Sequence, residues 1–119
     1  MSSELPPQIQ NQLAQLQQTQ QQGQALAAQK NQVEITLKET ELAFEELEKL
    51  DADAVVYRAV GDLMIKTDRD KTKETLNERK ESLDLRLQTL ARQEERIQKR
   101  FTQLQEQLKQ AVGAPETAQ

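Results

Sequence analysis

Two heptad-patterned segments, separated near the middle of the chain by a short stretch with β-strand alternation, constrain most strongly how this sequence folds. The second segment has the clearer pattern, because nine of the eleven positions on its 3–4 repeat between Leu76 and Ala111 are apolar. Such spacing lines up apolar side chains on one stripe of a helix, and two such stripes pair to form a coiled coil. We therefore predict two long helical arms, residues 8–50 and residues 70–112, followed by a flexible tail over residues 113–119.

The first arm has a weaker pattern that divides into two repeats. Its first repeat occupies Ile9, Leu13, Leu16, Gln20, Gly23 and Ala27. The second repeat starts at Leu26 and continues through Val33 and Leu37, shifted by three residues from the first. A shift of this size predicts a local irregularity in the coiled coil near Gly23.

The segment between the arms, Val55 to Thr67, reads VVYRAVGDLMIKT and alternates as a β-hairpin does. A three-residue loop at Val60-Gly61-Asp62 places Val55, Tyr57, Ala59, Leu63 and Ile65 on one face. A two-residue loop at Gly61-Asp62 suits a primed turn but moves Arg58 and Val60 onto the face of Leu63 and Ile65. We prefer the three-residue loop, because it separates apolar from polar side chains better.

A hairpin reverses the chain, so the two arms most simply pair as antiparallel helices. Lys30 and Glu94, one charged residue from each apolar stripe, then lie at the same level. Gly23 and Phe101 also face each other. We expect an ion pair and a small-against-large contact at these two levels to set the register of the arms.

An isolated two-stranded hairpin is marginally stable in water and has two unpaired edges. Nothing else in the chain is broad enough to cover its apolar residues, so hairpins of several chains are expected to pair, and closure into a barrel would remove the edges. The predicted fold class is mostly α, a long antiparallel helical coiled-coil hairpin with a central β-hairpin that joins an intersubunit β-barrel. Residues 1–119 are predicted to form one domain.

Composition argues against several classes of function. The 119 residues include no His and no Cys, so the usual general bases, thiol nucleophiles and thiolate metal sites are missing, and we predict neither an enzyme nor a cofactor. A net charge of -4 disfavours nucleic acid as a partner. The opening MSSELPPQIQ lacks the pattern of a secretory signal, and no stretch reaches the length of a membrane span. The expected location is the cytoplasm.

The two ends of the chain carry more apolar residues than a frayed terminus requires. The antiparallel arrangement brings these ends together at the tips of the arms. These residues either complete the coiled coil or are exposed on fraying tips, where they bind other apolar surfaces. The candidates for such binding are Ile9, Leu13, Leu16, Leu104, Leu108 and Val112.

The whole chain resembles the archaeal-type prefoldin beta subunit. The resemblance rests on PPQIQNQLAQLQQ near the start, on VYRAVGDLMIKT in the hairpin, and on LQTLARQEERI in the second arm. It implies an ATP-independent co-chaperone that captures unfolded or nascent polypeptides at the coiled-coil tips and delivers them to a group II chaperonin. It also implies a hetero-hexamer of two alpha and four beta chains, with this chain in the beta class because it has one hairpin.

Two sets of residues receive roles from this resemblance. Clients would contact the tip residues named above. Assembly would depend on the hairpin residues Val55, Val56, Tyr57, Val60, Leu63, Met64 and Ile65. The alternative is a structural coiled-coil adaptor that tethers partners without protecting unfolded chains.

Overall fold

Two long helices flank one antiparallel β-hairpin. The computed structural model describes residues 5–117, and the side chains of residues 5–113. The order of elements is α1 (Pro7–Glu48), β1 (Val55–Val60), β2 (Leu63–Asp68) and α2 (Arg69–Thr117). The fold class is confirmed as mostly helical with a central β-hairpin. In the region predicted as a tail, the helix continues to Thr117, and residues 118–119 lie outside the described residues.

The chain divides into two compact units. The terminal unit contains residues 1–30 and 90–119, and the hairpin unit contains residues 31–89. Within the terminal unit, Lys30 contacts Glu94 while the space beside Gly23 is bounded by Ile97. Lys30, the later residue of α1, meets the earlier residue of α2, and Gly23 meets the later one. The two helical segments are therefore antiparallel.

The hairpin unit shows the same antiparallel pairing. Lys80 Nζ lies 3.7 Å from Glu41 Oε2, and the ammonium of Lys73 lies 5.3 Å from the centre of the Phe44 ring. Val33, Leu47 and Leu90 are among the buried apolar residues of the chain and lie on the inward stripe of their helices. The predicted stripe of α2 is confirmed, because every one of its positions from Leu76 to Ala111 is buried or half-buried.

The predicted irregularity near Gly23 is wrong. Burial along α1 follows one 3–4 spacing from its start, and the inward positions are Ile9, Gln12, Leu16, Thr19, Gly23, Leu26 and Lys30. Gln20 and Ala27, which the prediction placed inward, are exposed. The polar residues Gln12 and Thr19 occupy inward positions, so a count of apolar residues alone did not detect the continuous register.

Local hydrogen bonds explain where α2 begins. The Asp68 carboxylate accepts a hydrogen bond from the Lys71 amide at 2.7 Å, so Asp68 is the N-cap of the helix. Asp70 in the first turn carries the negative charge that the positive end of the helix dipole favours. Strand β2 therefore passes directly into α2 without a connecting loop.

The hairpin turns through two residues, Gly61 and Asp62, with Val60 paired to Leu63. The preferred three-residue loop is therefore wrong. Gly61 has a φ of 57° at the first central position, as in a type II′ turn, whose twist matches that of the strands. Turn geometry prevails here over the separation of apolar from polar side chains.

We predict opposite effects for alanine at two glycines. Gly61→Ala should lower the free energy of unfolding by about 1 kcal/mol, because a side chain disfavours positive φ. Gly23→Ala should raise it by about 0.5–1 kcal/mol, because glycine weakens a helix interior. The new methyl group would meet Ile97 Cγ2 at 3.4 Å, an ordinary contact. Urea denaturation of the three proteins at equal concentration measures both changes, and destabilisation by Gly23→Ala would contradict the assigned packing.

Candidate functional site: the exposed hairpin and the terminal unit

The hairpin exposes apolar side chains on both of its faces. The register places Val55, Tyr57, Ala59, Met64, Lys66 and Asp68 on a first face and Val56, Arg58, Val60, Leu63, Ile65 and Thr67 on a second. The sequence prediction had placed Leu63 and Ile65 with Val55 and Tyr57, and the two-residue turn corrects this. Each face carries at least three large apolar residues, so the hairpin has no polar side suited to water.

The predicted assembly residues are mostly uncovered in the single chain. Six of the seven are 44–66% exposed, and Val56 is half-buried beside its partner Thr67. Burial of a large apolar side chain contributes about 1.5–3 kcal/mol, so leaving six of them in water forgoes a large stabilisation. A concentration of exposed apolar side chains on one short hairpin is typical of a protein interaction site.

The outer edges of the hairpin are also unpaired in the single chain. Each strand bonds only the other, so β1 and β2 each present one edge of free backbone groups. The edges therefore remain available for pairing with a strand from another chain.

The base of the hairpin is anchored to the helices. The Arg69 guanidinium donates a hydrogen bond to the Leu50 carbonyl at 3.0 Å, which joins the end of α1 to the start of α2. The Ala54 amide donates to the Asp51 carbonyl at 3.0 Å and closes the turn before β1. These bonds hold both strands where they leave the helices and present the hairpin as a defined surface.

The predicted tip residues lie in the terminal unit and differ in exposure. Ile9, Leu13, Leu16 and Leu108 are half-buried, Leu104 is buried with 4% of its surface exposed, and Val112 is 57% exposed. Leu104 therefore reaches a client only if the two helical segments separate. The structure leaves the role of all six residues as a prediction.

Inward polar residues weaken the packing of the terminal unit. The Thr19 hydroxyl is buried and donates to the Gln15 carbonyl at 2.8 Å, within its own helix. Gln12 Oε1 is buried without a hydrogen-bond partner among the described residues, which is unfavourable. Sequence reasoning missed both positions, although a search for any residue at continuous 3–4 spacing would have found them.

The predicted ion pair between the helices is present. Lys30 Nζ and Glu94 Oε1 lie 3.0 Å apart, with 34% and 31% of their side chains exposed. Gly23, Ile97 and Phe101 line one groove of the terminal unit. A Cβ placed on Gly23 would lie 3.4 Å from Ile97 Cγ2, so Ile97 borders the space beside the glycine, and the contact of Gly23 with Phe101 stays a prediction.

Comparison with known proteins decides the family. A model of the prefoldin subunit family matches residues 10–114. The chain belongs to the prefoldin subunit family. The resemblance drawn from the hairpin and second-arm motifs is thereby confirmed, and prefoldins are a family of chaperones.

Relatives among the prefoldins match over nearly the whole chain. A prefoldin subunit beta of Methanococcoides burtonii is 71% identical over 113 residues, which cover 95% of this chain and 97% of the relative. The prefoldin subunit beta of Pyrococcus furiosus is 41% identical, over 93% of this chain and 95% of its own. The crystal structure of the prefoldin beta subunit from Thermococcus strain KS-1 has a TM-score of 0.84 at 41% identity, over 92% of this chain and 96% of its own.

Within residues 5–117, neither helix has the length and apolar content needed to cross a lipid bilayer.

We predict that the Lys30–Glu94 pair is energetically coupled. A double-mutant cycle with Lys30→Gln and Glu94→Gln should give a coupling of about 0.5–1 kcal/mol, as for a partly exposed ion pair. The more exposed pair Lys99–Glu95 in the same unit, at 3.7 Å within α2, is the control and should give a smaller coupling of about 0.3 kcal/mol. The coupling of the first pair should fall as salt is added. Equal couplings for the two pairs would contradict a role for Lys30–Glu94 in setting the register.

Proposed function

We propose that this prefoldin chain is the subunit of an ATP-independent chaperone that captures unfolded or nascent polypeptides and delivers them to a group II chaperonin. The observation that carries the proposal is the hairpin, whose apolar side chains are exposed on both faces in a member of a chaperone family. A chain with such a surface requires partner chains to cover it. Residues 1–119 act as one functional domain. The chain acts in the cytoplasm, and the absence of cysteine supports this location because disulfides are rare in that reducing compartment.

Assembly is proposed to occur through the hairpin. Strands of neighbouring subunits would pair with the free edges of β1 and β2, and closure into an intersubunit barrel would cover one face and leave no edge exposed. The other face would be covered by packing against neighbouring subunits. The proposed complex contains two alpha and four beta chains, with this chain in the beta position.

Client binding is proposed to occur in the terminal unit. Leu5 and Val112 are exposed there, and the inward positions of Gln12 and Thr19 reduce the apolar contact between the helices. Separation of these segments costs less than separation of a fully apolar coiled coil and would expose Leu104 and its neighbours. An adaptable apolar surface without a fixed pocket suits clients of diverse sequence.

Two double variants separate assembly from client binding. Leu63→Ser with Met64→Ser removes one apolar side chain from each hairpin face, and we expect association with a prefoldin alpha subunit to weaken by about 100-fold or more. Ile9→Ser with Leu108→Ser should leave association intact but lower the suppression of aggregation of a denatured protein, without nucleotide, at least about threefold. Sedimentation velocity and light scattering measure the two properties.

A matched control tests whether exposure alone explains the effects. Leu42→Ser with Leu85→Ser removes two helix side chains, and Leu85 is 64% exposed, the same as Leu63. This variant should assemble and suppress aggregation as the unaltered chain does. A complex that assembles but never suppresses aggregation would instead indicate a structural adaptor and overturn the proposed function.

A further inference from the structure

A groove runs between the second face of the hairpin and the first turns of α2. Its volume is about 530 Å³, and both walls belong to the hairpin unit. The large apolar residues of its lining are Val60, Ile65 and Leu76, and Ala59 also borders it. Val60 and Ile65 are exposed and Leu76 is half-buried, so the groove offers apolar surface to an occupant.

Every charged side chain in the lining of this groove is cationic. Arg58 comes from the second face of the hairpin, and Lys71 and Arg79 come from α2, while Lys66 borders the groove from a position whose side chain lies on the first face. No acidic residue lines the groove, and in the described part of the chain no carboxylate forms an ion pair with Arg58 or Arg79. We call this surface the basic groove. Its positive character contrasts with a chain whose net charge is -4.

Two of the three threonine hydroxyls in the lining of the basic groove already donate hydrogen bonds to backbone carbonyls four residues earlier in the chain. The Thr72 hydroxyl donates to the Asp68 carbonyl at 2.7 Å, and the Thr75 hydroxyl donates to the Lys71 carbonyl at 3.1 Å. The donors left for an occupant therefore come mainly from the guanidinium and ammonium groups. Guanidinium groups bind carboxylates through two parallel hydrogen bonds, so the groove chemistry matches an occupant that carries carboxylates.

We infer that the basic groove receives an extended segment of the alpha-type partner subunit in which carboxylates accompany apolar side chains. This inference rests on the proposed function, because the groove is continuous with the hairpin face through which assembly is proposed. The apolar side chains of the segment cover Val60, Ile65 and Leu76, and its carboxylates pair with Arg58 and Arg79.

A second copy of this chain fits the basic groove less well. A symmetric contact through the second face would bring Arg58 of each chain toward the cationic groove of the other. Like charges in an interface oppose association and select against that partner. Charge complementarity therefore favours a different chain as the occupant.

The first test measures affinity for a prefoldin alpha subunit. Arg58→Gln with Arg79→Gln should weaken binding about tenfold or more and reduce its dependence on salt between about 0.05 M and about 0.3 M. Arg86→Gln with Arg92→Gln is the matched control, because both arginines are exposed on α2 outside the basic groove. Thermal unfolding of each isolated variant should match that of the unaltered chain.

The outcomes separate this inference from the proposed function. Normal binding by the unaltered chain, together with equal affinities for the groove and control variants, would overturn the basic groove as a docking site and leave the proposed function standing. Absence of binding by the unaltered chain would overturn both.

A second test identifies the occupant directly. A benzophenone amino acid in place of Thr75, which lies in the groove wall, should cross-link the alpha subunit at a peptide that contains Asp or Glu. The same group in place of Arg86 should give no such product. Cross-linking to another copy of this chain, or to an alpha peptide without carboxylates, would contradict the inference.

Discussion

The hairpin cannot bury its own apolar side chains, and the rest of the architecture depends on that constraint. Its two-residue turn divides the large apolar residues between two faces, and the single chain covers neither of them fully. The strands also leave one edge each without hydrogen bonds. The pairing of this hairpin with strands from other chains, which we propose, would remove both deficits at once. Under this proposal, assembly completes the chain.

The helices fix the hairpin at its base and leave its surface free. Asp68 caps α2 directly after β2, and Arg69 bonds back to the end of α1. These contacts lie at the two residues where β2 ends and α2 begins. They fix the direction in which the hairpin leaves the helices, and they cover neither of its faces. A loose connection would increase the entropy lost on assembly, and the anchored base reduces that cost.

Polar residues at inward positions give the two helices a specific but modest association. The Lys30–Glu94 pair bridges the helices in the terminal unit, and Glu41 lies near Lys80 in the hairpin unit. Such residues set the register at some cost in stability. In the terminal unit this cost supports the separation of the helices around a client that we propose.

Much of this architecture follows from periodicity. The apolar repeat of α2, the position of the hairpin and the Lys30–Glu94 pair were all predicted, because each depends on spacing along one element or on chain reversal. The register of α1 was not predicted, since Gln12 and Thr19 occupy inward positions that a count of apolar residues ignores. The hairpin faces were also assigned incorrectly. Alternation identifies a solvent face only when one exists, and in this hairpin both faces are apolar, so turn geometry at Gly61 determines the register.

Amide hydrogen exchange of the hairpin tests most directly whether assembly completes this chain. In the isolated chain, the amides on the free edges of β1 and β2 should exchange rapidly. On addition of a prefoldin alpha subunit, their protection should rise by about 100-fold or more, while the amides of α2 between residues 81 and 90, outside the basic groove, change little. A complex that forms while the hairpin amides keep the exchange rates of the isolated chain would contradict the account.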